Sequence, residues 1–306
     1  MTVTIANATS NPILTTSGKS INAYSGVTVS DTASLTTSET VTITLAQSES
    51  NNPGDNFSFY PTAADLGTIT DPNGGGAFNP STETFTETGL VGGDPNFATA
   101  LLNRLVYHAP TLPAGQGFGT QAQITVTDNA PIGISGPPRA STTFGDPVIV
   151  GVLSSPMVSP GVPDEPVASG KSLSPFATLA ITSPSLSYYY YTETLTPGSQ
   201  SSTYNSVLSY GYSAEDSATI TVTDGGNPTD SDGLLTGPGL SKTGAGTYAI
   251  APVYYYNLLS EIRALTFQTA AIPTGLNPSF QLVVTDSSTG LTTTQAPTTS
   301  PSYSSH

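Results

Sequence analysis

The chain has 306 residues, no cysteine, 21 acidic against 6 basic residues and a formal net charge of −15, with only 9% of residues charged. That length suits about two domains of ordinary size, and without cysteine there is no disulfide frame, thiolate metal site or Cys nucleophile. Six scattered cations build no basic patch, which excludes phosphate backbones and anionic lipid as partners.

No apolar run approaches the roughly 20 residues of a membrane span, so no membrane insertion is expected. The first residues, Met1-Thr-Val-Thr-Ile-Ala-Asn, lack the basic head and apolar stretch of a secretory leader. Export is therefore expected by a route without a cleaved leader, or with a leader outside this sequence.

Residues 2–5 alternate Thr with Val and Ile and predict a first strand. Ser17-Gly18-Lys19-Ser20 follows, and the same four letters return at Ser169–Ser172, 152 positions on. The match runs from Ser17 to Tyr24 over Ser169 to Phe176 without a gap, then places Val27-Thr28-Val29 over Leu179-Ala180-Ile181. A repeat of fixed period makes the chain two versions of one module. Thr40–Leu45 is a strictly alternating strand answered by Ala218–Thr223. Asp71-Pro-Asn-Gly-Gly-Gly76 is a turn, since Asn-Gly and Gly-Gly supply positive φ cheaply. Short strands are predicted at Gly67–Thr70 with Gly233–Thr236, and at Thr84–Thr86 with Thr247–Ala249.

One helix per module is predicted. Asp94 is a fair N-cap, Pro95 suits the first position, and Phe97, Leu101, Leu102 and Leu105 make one apolar stripe. Asn257–Leu265 is its counterpart, and Ile124–Asp128 and Leu282–Asp286 are closing strands that both end on Asp. Pro147–Val150 is expected to open the second module. Pro- and Gly-rich stretches at 131–146 and 153–168 lie about the junction. The modules are 1–145 and 146–290, and 291–306 is a Ser/Thr/Pro tail, flexible unless a neighbour holds it. The class is all-β: two tandem immunoglobulin/cadherin-like β-sandwiches, each with one short helix.

The order of these elements carries a resemblance. Lys19 and Tyr24, Val27–Val29, Val41–Leu45, Gly74–Phe78, Ala98–Leu105 and Val126–Asp128 follow one another as in the tandem cadherin-like modules of large bacterial surface repeat proteins, which the chain resembles over nearly its whole length. The resemblance implies an extracellular, cell-surface protein, and calcium at module junctions. Two modules alone fit a stand-alone subunit that assembles.

Several constellations invite chemistry. Gly18-Lys19-Ser20 is no phosphate loop, because Ile13 and Glu165 stand where that motif needs glycine in the two copies. Lys19 and Lys171, two of three lysines, either protect a strand edge or condense with an Asn of another strand. Acids gather near turns at Asp128, at Asp164 and Glu165, at Asp224 and at Asp230 and Asp232. Calcium takes such oxygen ligands, with Asp128, Asp164 and Glu165 the first metal candidates; Asp and Asn also favour turns for local reasons. The chain has two histidines, His108 on a strand and His306 at the end, and abundant Ser means nothing without a positioned His, so no enzyme is expected.

The tyrosine runs Tyr188, Tyr189, Tyr190, Tyr191 and Tyr254, Tyr255, Tyr256 are candidate interface residues. In a strand neighbours face opposite ways, so a run of four puts about two rings outward. At the offset of 152 the first module has Thr36-Thr-Ser-Glu39 instead. Exposed Tyr is enriched at interfaces; the alternative is a large core on one face and harmless rings on the other. The expected function is a non-enzymatic extracellular structural subunit that self-assembles into a bacterial surface layer, fibre or matrix. The alternatives are an adhesin module binding glycan or a host surface, and a virion decoration or fibre protein.

Overall fold

A computed structural model describes residues 3–6, 13–31, 38–47, 66–90, 96–129, 141–144, 148–159, 170–195, 202–213, 215–224, 226–271 and 278–298. They are mostly β-strands in several sheets with two short helices, an all-β chain. Two compact units emerge. The first comprises Met1–Leu112, Gly117–Leu153 and Leu186–Gly211, and the second Pro113–Gln116, Ser154–Ser185 and Tyr212–His306.

Unit 1 contains β1 (Val3–Ala6), β2 (Ile13–Thr16), β3 (Ser20–Ile21), β4 (Thr28–Asp31), β5 (Ser38–Gln47), β6 (Thr68–Thr70), β7 (Ala77–Asn79), β8 (Thr84–Leu90), α1 (Phe97–Arg104), β9 (Val106–His108), β10 (Gly117–Asn129), β11 (Ser141–Phe144) and β12 (Val148–Leu153). Its main sheet runs β2-β12-β10-β5-β8-β7, with β11 also on β10; β3-β9-β6 and β1-β4 are smaller sheets. The alternation in β5 has the expected result: Val41, Ile43 and Leu45 are buried and the Thr residues between them are not. Val41 stands opposite Val126 and Ile43 opposite Ile124, so every second rung of the ladder buries an apolar pair. Tyr24, Phe85, Leu101, Leu102, Leu105 and Tyr107 complete this core.

β13 (Met157–Ser159), β14 (Ser172–Leu173) and β15 (Ala180–Thr182) begin unit 2. Next in the chain is a ribbon of β16 (Ser185–Leu195) and β17 (Ser202–Ser213), nearly all of which belongs to unit 1. Then come β18 (Glu215–Asp224), β19 (Asn227–Pro228), β20 (Gly233–Thr236), β21 (Leu240–Gly244), β22 (Thr247–Tyr254), α2 (Tyr255–Arg263), β23 (Thr266–Thr269), β24 (Ser279–Asp286) and β25 (Thr292–Thr298). The main sheet is β21-β22-β18-β24-β25, with β19 on β18; β14-β23-β20 and β13-β15 are the small sheets. Phe280 receives Phe267 at 5.1 Å and Phe176 at 5.9 Å, both edge-on, at the centre of the core.

The repeat thus extends to topology. β7-β8-β5-β10 corresponds to β21-β22-β18-β24, β3-β9-β6 to β14-β23-β20, and β1-β4 to β13-β15. Gly18 and Gly170 share positive φ values of 70° and 73°. The carbonyls of Lys19 and Lys171 accept from Ala109 and Thr269 of the equivalent strands. Asn103 Nδ2 on α1 donates to the Val27 carbonyl (3.2 Å), and Arg263 Nε on α2 donates to the matching carbonyl of Leu179 (2.7 Å).

Four expectations change. Val148–Leu153 does not open the second module; it lies antiparallel to β10 in unit 1 with all six residues buried. The counterpart of β1 is β13, since Ile5 faces Val29 as Val158 faces Ile181. Tail residues 292–298 are held by a neighbour, as β25 pairs with β24. Helix α1 starts at Phe97 with Asn96 as its N-cap, not at the Asp94 cap, which lies outside the described residues.

Candidate functional site

The tyrosines of the second run stand where β22 passes into α2. Tyr254 ends the strand opposite Glu215 of β18, and Tyr255 and Tyr256 begin the helix. Tyr254 and Tyr256 are 45% and 56% exposed, with ring planes 1° apart and centroids at 5.8 Å. Tyr255 is half-buried and meets Tyr256 edge-on at 5.7 Å. Two parallel rings open to solvent, beside the exposed Glu215, offer apolar faces and polar hydroxyl tips together. The run Tyr188–Tyr191 lies in β16, and its side chains are outside the described residues.

One residue further into the same corner is a pair of acids. Asp216 of β18 faces Asp286 of β24, and both are fully buried. Ser287 N donates to Glu215 O (2.8 Å) on the next rung, so Asp216 and Asp286 form a non-hydrogen-bonded pair, the type in which side chains approach closest. Like charges so placed repel. Ser183 Oγ donates to Asp216 Oδ2. Asp286 Oδ1 accepts from Ser288 N and from Thr289 N (2.9 and 3.3 Å). The Asp216 carboxyl is pushed up to about 6, chiefly by burial; the Ser183 hydroxyl opposes this and the Asp286 charge adds to it.

Unit 1 has the same rung. Glu39, buried at the start of β5, stands opposite Asp128 of β10, just as Asp216 stands opposite Asp286. Glu39 Oε2 accepts from Ala98 N at 3.3 Å, which places a carboxylate at the N-terminus of α1, where unpaired amides favour negative charge. Asp128 is therefore brought beside an acid that sequence reasoning missed, while Asp164 and Glu165 lie outside the described residues. The side chain of Asp128 is also outside them. Both closing strands ending on Asp was the visible signal; Glu39 and Asp216 had none, because a cross-strand partner is far away in sequence. Among the described residues no three or more His, Cys, Asp or Glu side chains group so as to hold a metal ion.

Other candidates are structural. Lys19 and Lys171 are exposed, which does not suit a buried lysine condensing with Asn. His108 is bridged on both ring nitrogens, Nδ1 to Ser20 Oγ and Nε2 to Thr70 Oγ1, each at 2.7 Å. Arg104 at the end of α1 joins Asp71 through Nε and Nη2 (2.8 and 3.0 Å) and Glu87 through Nη2 (2.9 Å). This guanidinium holds the Asp71 carboxyl well below the usual carboxylate range.

Comparison with protein-family models and with curated proteins finds no match to this chain. No helix among the described residues is long and apolar enough to cross a membrane.

Proposed function

We propose that this chain is a non-enzymatic structural subunit of a bacterial extracellular layer, fibre or matrix. In this reading its two units are tandem immunoglobulin/cadherin-like sandwiches. The single observation that carries it is the exposed parallel pair Tyr254 and Tyr256. Large amphipathic rings held at a strand–helix junction lose little conformational entropy on contact, which suits a repeated subunit interface. A strongly acidic surface of few charges also suits an assembly that binds neither nucleic acid nor anionic lipid.

A second reading, glycan binding at the same corner, is favoured by Glu215 opposite Tyr254, since a carboxylate beside an aromatic face can accept from sugar hydroxyls. Light scattering against concentration tests the first reading. Wild type grows into large particles, and Tyr254→Ala with Tyr256→Ala remains monomeric. If wild type stays monomeric at all concentrations and binds immobilised glycans through Tyr256, the second reading replaces the first.

A further inference from the structure

The chain has no cysteine, no tryptophan and only 2 methionines, against 15 tyrosines. It cannot answer an oxidising environment with a disulfide. Without thiol or indole, a one-electron oxidant that meets the folded protein meets tyrosine as its most easily oxidised side chain. Among the tyrosine side chains in the described residues, Tyr24, Tyr107 and Tyr248 are buried and Tyr255 is half-buried. Tyr254 and Tyr256 are the ones open to solvent.

The two exposed rings are also the two that stack. Their planes lie 1° apart with centroids at 5.8 Å, whereas Tyr255 meets Tyr256 edge-on at 80°. Both members of the pair are anchored. Tyr254 closes β22 opposite Glu215, and Tyr256 lies in the first turn of α2, whose Leu258 and Ile262 are buried in the unit 2 core. A phenol that loses one electron and its proton becomes a phenoxyl radical, with spin on the oxygen and on the ring carbons ortho and para to it. In tyrosine the para carbon carries Cβ, so carbon–carbon coupling falls to the ortho carbons. Parallel rings bring spin-bearing faces together, and an edge-on pair does not.

We infer that Tyr254 and Tyr256 are an oxidative modification site that couples to an intrachain dityrosine, with a peroxide and a haem peroxidase as the class of oxidant. Each phenol gives up one electron and one proton, and one hydrogen peroxide takes both pairs to become two waters. The two phenoxyls then form one ortho–ortho carbon–carbon bond. Each joined carbon sheds its hydrogen as a proton and each oxygen regains one, so two phenols are restored and the chain is lighter by two hydrogens. Unit 1 has leucine at the first of these places, since Leu90 stands opposite Ser38 as Tyr254 stands opposite Glu215. The coupling concerns a single chain and does not depend on whether the chain assembles.

The test treats the full chain at high dilution with hydrogen peroxide and a haem peroxidase, followed by digestion and peptide mass mapping. Wild type is expected to gain dityrosine fluorescence. The peptide holding residues 254–256 is expected to lose two hydrogens, on a chain that still runs as a monomer under denaturing conditions. Tyr254→Phe and Tyr256→Phe keep an aromatic ring and remove the oxidisable phenol, so each is expected to abolish the lighter peptide. Tyr255→Phe is expected to retain it. A wild-type peptide of unchanged mass, coupling only between chains, or a lighter peptide that persists in Tyr256→Phe overturns the site, as does its loss in Tyr255→Phe.

Discussion

Asp216 lies directly opposite Asp286 on the last buried rung of unit 2, and the two carboxyls are sealed from water together. Because the folded-state carboxyl of Asp216 is raised, the native protein binds a proton there between about pH 6 and the unfolded value near 4. Stability therefore rises as pH falls through that window and is lower above it. The gain is on the order of 3 kcal/mol at most. Asp216→Asn is expected to be more stable than wild type at pH 7 and to lose the slope between pH 6 and 4. Urea melts across that range measure both; an unchanged slope in Asp216→Asn overturns the assignment.

Tyr24 and Phe176 occupy one position of the repeat, and each is at the centre of its core. The Tyr24 hydroxyl is buried without a hydrogen-bond partner, and burial pushes its ionisation far up. An unsatisfied hydroxyl costs about 1–3 kcal/mol, so adopting the residue of the second unit removes a penalty. Tyr24→Phe is expected to stabilise unit 1 by about 1 kcal/mol, read as slower hydrogen exchange in β5 and β10. Faster exchange in those strands would show that the hydroxyl is satisfied.

Much of this was legible in the sequence where the signal is local. Alternation located β5 and β18, the glycine turn located the β6–β7 connection, and apolar spacing located both helices. The repeat was visible at Ser17 and Ser169, but its constant offset failed beyond Val29. The offset of 152 becomes 177 between Glu39 and Asp216, because the β16–β17 ribbon is inserted in the sequence between β15 and β18, and no such ribbon stands between β4 and β5 among the described residues. The tyrosines at 188–191 therefore do not replace Thr36–Glu39; they belong to the inserted ribbon. Strand β25 was hidden by composition, since Thr-Thr-Thr-Gln carries no apolar alternation and becomes a strand only through the ladder of β24. The acidic rungs were half hidden, because only register brings Glu39 to Asp128.

Arg104 pins the end of α1 to the turn after β6, and no equivalent ion pair is found among the described residues of unit 2, where Gly237 takes the place of Asp71. The Asp71 side chain is wholly buried, so removing the guanidinium leaves it with only the Asn73 and Gly75 amides and takes the cation from Glu87. Arg104→Met is expected to cost unit 1 about 3 kcal/mol. Asp71 is depressed in the folded state, so its contribution is present above the unfolded value near 4 and is lost as pH falls below it. Arg104→Met should therefore lose less further stability than wild type between pH 4 and 2. Hydrogen exchange in α1 at both ends of that range reads the difference, and equal acid sensitivity would mean that the pair contributes nothing.

β25 covers β24 on the side away from β18, pairing Thr285 with Thr292 and Phe280 with Thr298. Thr293 Oγ1 also donates to the Pro156 carbonyl, which ties β25 to the start of unit 2, and Gln295 is buried in the ladder. Ending the chain at Leu291 removes these contacts and bares β24, whose buried face carries Phe280, Leu282 and Val284. An open edge of that kind templates strand addition from another copy. The truncated chain is expected to melt lower than wild type and to aggregate irreversibly on warming, with particles that bind amyloid dyes. Wild-type assemblies held together by the tyrosine corner should instead dissolve on dilution. A truncated chain that keeps the full Tm and stays monodisperse would show that the Thr-rich segment only rests on β24. In that case unit 2 would be complete at Asp286, and the contrast between edge-driven and tyrosine-driven particles would disappear.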